Sequence, residues 1–215
     1  MKLILLFTII YSLFPLLFYW IIKRNLTLEI KPILPFVILS FVGGIYEFVF
    51  TFLLRINSVP WFYTYDFLSF FTIQYFFYII LGKERKQWFR VSSLLYFLLF
   101  VYLVFSHTME KYMNNLSYLV SFLTLLILIY ALIWFKRVFM EVSLQSLSDS
   151  PTFYFVSGFL FYYTGVLVLF LFADAIYKNE RPNFQYYWLI NLFFNIFHKS
   201  LLILGMWKAR KEIVN

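Results

Sequence analysis

Residues 186–207 read YYWLINLFFNIFHKSLLILGMW, a run long enough to cross a bilayer that carries Asn191, Asn195, His198 and Lys199 within it. At 3.6 residues per turn, Trp188, Asn191, Asn195 and His198 fall on one stripe, with Lys199 beside it. A lysine far from both helix ends in so apolar a chain is costly unless it faces protein or water. This stretch therefore predicts a membrane helix that forms one wall of a polar interior.

The rest of the chain agrees with a membrane setting. Of 215 residues, 63% are hydrophobic and only 13% charged, which leaves too little polar surface to cover a soluble domain of this size. Tyr and Trp suit headgroup depth, and the many Phe suit lipid contact and helix packing. The net charge of +8 sits in short clusters at the ends of apolar runs. That pattern sets topology and meets anionic lipid, and it argues against nucleic-acid binding because no extra-membrane domain is large enough to carry it. With no cysteine, disulfides, thiol catalysis and thiolate metal sites are excluded.

Seven apolar runs follow one another: Leu3–Ile22, Pro32–Leu54, Trp61–Leu81, Trp88–Phe105, Leu116–Phe135, Thr152–Ala173 and Tyr187–Trp207. Each matches the ~30 Å hydrocarbon core of a bilayer. The first opens on Met1-Lys2 but has no small-x-small cleavage site and ends in Lys23-Arg24, so it reads as a retained span. The expectation is an all-α membrane protein, residues 1–215 forming one compact bundle of seven transmembrane helices.

Twelve Lys and Arg fall in the connections after runs 1, 3 and 5 and in the C-terminal tail, against five on the other side, Lys199 being inside. This bias predicts an outside N-terminus and a cytoplasmic C-terminus in a bacterial inner membrane. Short connections make neighbouring helices antiparallel. The longest, about Lys136 to Ser150, has the spacing of a short interfacial helix, and Ser150-Pro151 supplies a cap and first-turn proline for the next span.

Run 2 carries a second stripe, Ser40, Gly43, Gly44, Glu47 and Thr51, whose small residues admit a neighbouring helix beside an acid. Glu47 lies ~12 Å below the outer boundary, and Lys199, ~20 Å down, leans outward toward it. A Lys199–Glu47 ion pair is predicted, with Gln74, Asn195 and His198 supplying hydrogen bonds. Asp66 lies two turns into run 3, near the boundary. The candidate intramembrane polar seam is thus Glu47, Asp66, Gln74, Asn191, Asn195, His198 and Lys199. Such groups either hold a bundle in register or line a proton or ion path.

Enzyme chemistry is not indicated. Two histidines, His107 in a loop and His198, give no metal-ligand spacing, and no nucleotide fingerprint is present, so no cofactor or metal is implied. Tyr65-Asp66 matches half of the motif pair of intramembrane aspartyl proteases, but the Gly-x-Gly-Asp half is missing. Ser157-Gly158 lacks the glycine context of a rhomboid nucleophile. A lysine in the seventh helix is the retinal position of microbial rhodopsins, yet Asn195 stands where those proteins carry Asp, and Tyr63-Thr64-Tyr65-Asp66-Phe67 replaces their third-helix pattern.

The segments FVGGIYEFVFTFLLR, WFYTYDFLSFFTIQYFFYIILGK, PTFYFVSGFLFYYTGVLVLFLF and YYWLINLFFNIFHKSLLILGMWK resemble a family of small bacterial seven-helix membrane proteins, some apparently encoded near two-component regulators. The resemblance implies the topology above and a link to signalling, and supplies no active-site residue. The function expected is a sensory or accessory module that passes a signal to a separate protein, with Lys83–Arg90 and Lys136–Ser150 as contact surfaces. The alternatives are a small proton-coupled transporter and a structural subunit of a membrane complex.

Overall fold

Proline and glycine placement decides where the helices of this chain begin, break and end. The computed structural model describes residues 2–23, 26–105, 112–141, 147–179 and 184–210. The helices are α1 (Lys2–Tyr11), α2 (Phe14–Ile22), α3 (Leu34–Tyr46), α4 (Val59–Leu81), α5 (Lys86–Phe105), α6 (Tyr112–Glu141), α7 (Pro151–Asn179) and α8 (Phe184–Lys208). Among the described residues there is no strand, only an isolated bridge between Leu26 and Arg210.

Five stretches are long and apolar enough to cross a membrane: Leu34–Leu53, Val59–Leu81, Lys86–Phe105, Asn115–Met140 and Leu189–Lys208. Large apolar side chains lie bare along them, among them Phe105, Ile79, Leu98, Leu132 and Phe193. A water-facing surface of that kind would be untenable, whereas acyl chains satisfy it. The chain is an all-α membrane protein.

The first apolar run is not one continuous helix. Pro15 has no N–H and its ring crowds the carbonyl four residues back, so the run divides into α1 and α2 at Ser12-Leu13. The Ser12 hydroxyl donates to the Ile9 carbonyl at 2.6 Å across the break. The second run also departs from a uniform α-helix. After Tyr46 it widens into a π-helical segment, Glu47–Leu53, closed by the Leu54 amide donating to the Val49 carbonyl at 3.0 Å. Arg55, with φ of 54°, then turns the chain out of the helix. Among the described residues of the Lys136–Ser150 connection, α6 runs on to Glu141 and Leu147–Asp149 forms one 3-10 turn. Residues 142–146, which complete that expectation, lie outside the described residues. Pro151 is the first residue of α7, as the spacing suggested.

α7 packs along both α6 and α8, α4 lies against α3, α5 and α6, and α1 and α2 rest on α8. Aromatic rings fill the centre. Phe70 and Tyr96 stack at 3.8 Å, and Phe36 meets Phe159 edge-on at 4.9 Å. At one end of the bundle, the Thr27 amide donates to the Ala209 carbonyl at 2.9 Å, and Lys208 pairs with Asp149 at 2.9 Å. The segments around 26–30, 147–151 and 208–210 therefore share one face, which joins three of the basic connections.

Candidate functional site: a buried charged seam

α8 brings His198 and Lys199 into the interior, where they are 1% and 3% exposed. The Lys199 ammonium donates to Ser40 Oγ at 2.5 Å and lies 5.3 Å from the centre of the Phe36 ring. Phe36 and Ser40 are one turn apart on α3, so a single face of that helix supplies both an acceptor and a π-surface. Glu47 looks onto the same interior and interacts electrostatically with Lys199, but no ion pair within 4 Å joins them. The expected contact pair is thus corrected. Seven residues separate Ser40 from Glu47, ~10 Å along the helix, and the ammonium is held at the Ser40 level.

His198 sits in an aromatic cage. Its ring lies 5.5 Å from Phe36, 5.2 Å from Phe159 and 5.3 Å from Tyr162, the last in a stacked arrangement. Gly158 makes the fit possible: a Cβ there would come within 3.1 Å of His198 Cδ2. The Nε2 atom of His198 and Oδ1 of Asn195, one turn earlier, are both buried without a hydrogen-bond partner among the described residues. Tyr162 Oη donates to Asn191 Oδ1 at 3.2 Å, and the Asn195 side chain also reaches that phenol. Asn191, Asn195 and His198 therefore share one face, directed at Tyr162 of α7. The Trp188 side chain, expected on the same stripe, lies outside the described side chains.

The acids gather tyrosines. Asp66 on α4, half-buried and expected near the boundary, has five phenols within electrostatic reach: Tyr63, Tyr65, Tyr96, Tyr162 and Tyr163. Tyr96 Oη also donates to the Asp66 backbone carbonyl at 3.2 Å. Glu47 faces Tyr65 and Tyr162, so the two acids share two phenols. Gly43 lets this happen, because the Tyr65 ring occupies the space a Cβ would need. On the same stripe Gly44 is filled instead by Ser12 and Leu13, so the small residues admit α4 on one side and the α1–α2 break on the other.

Gln74 belongs elsewhere. Its Nε2 donates to the Phe89 carbonyl at 2.5 Å and to Ser92 Oγ at 2.8 Å, while Ser93 Oγ donates to its Oε1 at 3.0 Å. Ser92 is in turn 2.8 Å from Tyr130 Oη. Gln74 thus clasps α4, α5 and α6 together and supplies nothing to Lys199. The reason is angular: eight residues beyond Asp66 leave it about 80° further round the helix.

Sequence reasoning missed the part played by Tyr65, Tyr163 and Tyr96, and gave Ser40 and Phe36 no role toward Lys199. Tyr65 could have been found as the neighbour of Asp66. Tyr96 could not, since nothing in its own run marks one aromatic among many. His107 lies outside the described residues, as do the side chains of Asp174 and Lys178. Among the described residues, no group of three or more His, Asp or Glu side chains is placed to hold a metal ion.

The fold and seam define a helical membrane protein with a charged, phenol-lined interior. No protein-family model matches the chain, and neither does any curated protein or solved structure.

Proposed function

We propose that the protein is a sensory or accessory module of a bacterial cytoplasmic membrane, passing a signal to a separate protein. The observation that supports this most is how tightly the charged seam is packed: Lys199 is met by Ser40 and Phe36, and His198 is caged by rings that touch it from three sides. Charge held in a dense core is suited to changing the balance between two packings. The element to be biased is at hand, because the π-helical segment begins at Glu47 and such segments differ from α-helix by one residue of register.

A signal at Glu47 has a continuous path, ~20 Å along α3, to one end of the bundle. α3 joins it to the 3-10 turn Leu28–Ile30, which rests on α7 beside the Leu26–Arg210 bridge. That end carries Lys31, Lys208 and Arg210, and with Lys83–Arg85 we assign it to the cytoplasm, where the excess of basic residues belongs. The α1–α2 pair and α7 complete seven spans in this reading, with the N-terminus outside. A partner presenting acidic side chains would dock there.

Crosslinking in native membranes checks this reading, using a photoreactive side chain placed at Lys31 or Lys208. One recurrent protein partner is expected from both sites, and none from a site at Asn57 on the opposite end. Loss of all specific crosslinks, together with proton uptake by vesicles containing the purified protein, would instead establish the transporter reading. That second reading has its own support in the unpartnered His198 Nε2 and Asn195 Oδ1 next to Tyr162, a phenol within electrostatic reach of both acids.

A further inference from the structure

Away from the seam, a groove of about 290 Å³ runs along the outer face of α4 and α5. Its chemistry changes with depth. Lys86 and Arg90, one turn apart at the start of α5, are exposed at its mouth. Neither makes a hydrogen bond or ion pair with a described residue. Deeper, the wall is the partly bare faces of Tyr78, Tyr75 and Phe71, the last ten residues before the end of α4 and so ~15 Å into the membrane. The floor is fixed, because Gln74 and Ser93 are bonded to one another there. Between 83 and 90 the chain holds four basic residues and one acid, Glu84.

We infer that this groove binds one anionic phospholipid, its phosphate on Lys86 and Arg90 and an acyl chain along Tyr78, Tyr75 and Phe71. Cations at headgroup depth followed by aromatic surface at acyl depth match the two ends of such a lipid in order and in spacing. Arginine and lysine one helical turn apart can both reach one phosphate. A free anion would use the mouth and leave the aromatic wall idle. The groove lies outside the charged seam and does not depend on the signalling role.

The test is native mass spectrometry of the full chain in detergent, offered dioleoyl phosphatidylglycerol or dioleoyl phosphatidylcholine at equal concentration. A single retained phosphatidylglycerol is expected, preferred over phosphatidylcholine. At roughly 1 kcal/mol per basic side chain near a lipid surface, Lys86→Gln with Arg90→Gln should weaken its binding about thirtyfold. The control, Lys31→Gln with Lys136→Gln, removes the same charge from exposed sites elsewhere and should leave the adduct in place. Equal binding of the two lipids, or equal loss in the control, would overturn the site. Displacement of the lipid by millimolar inorganic phosphate would overturn it too, by making it a plain anion site.

Discussion

Lys199 is the residue whose surroundings carry most meaning, because a buried ammonium must be matched from more than one direction. Ser40 accepts its hydrogen bond, Phe36 offers a ring face, and Glu47 balances its charge from further off. That balance should link Glu47 and Lys199 energetically despite the lack of contact. In thermal unfolding of Glu47→Gln, Lys199→Met and the double variant, each single change leaves one charge, the half-buried Glu47 or the buried Lys199, without its counterpart, whereas the double change leaves none. The double variant should therefore be more stable than the sum of the singles implies, by about 0.5–3 kcal/mol. Strict additivity would mean that Ser40 and Phe36 alone accommodate the lysine. At this scale the sequence was partly legible. The acid, the base and the asparagine stripe could be read from spacing, because polar groups stand out against apolar runs. Gln74 was misplaced because depth alone was considered, and about 80° of helix rotation sends it to α5. The tyrosines around Asp66 were hidden among eighteen of their kind.

Helices show where the apolar pattern misleads. Hydropathy sees Leu3–Ile22 as one run, since Pro15 is apolar, but a missing N–H cannot be replaced by greasiness. Restoring that donor should mend the break. Pro15→Ala is expected to slow amide hydrogen exchange across residues 12–19, as α1 and α2 fuse, with exchange in α4 unchanged. Unaltered exchange would show that packing against Gly44 and α8, not the proline, holds the two pieces apart. The π-helical segment was equally invisible in advance. Its residues, EFVFTFL, have no breaker, and the Tyr46–Trp61 stack at 4.2 Å packs α4 against its start. Helix lengths, by contrast, followed closely from the runs for α4 and α5, where Pro60 and Gly82 mark the ends.

For the molecule as a whole, an all-α membrane architecture was open to view in the sequence, because continuous apolar runs of bilayer length mark helices and not the alternating strands of a barrel. What composition does not reveal is whether the polar interior is sealed. The rings around His198 and the short Ser40–Lys199 contact bury the two basic groups, while Glu47, Asp66, Asn191 and Asn195 are only half-buried. Since the chain has no cysteine, single cysteines report on this without background. With a membrane-impermeant maleimide on intact cells and on inverted vesicles, Asn57→Cys should react only from outside and Lys208→Cys only from the cytoplasmic side. Ser40→Cys should stay unlabelled from both. Rapid labelling at Ser40→Cys from either face would mean that water reaches the lysine, and the closed, signal-passing interior proposed for this protein would give way to a transport path.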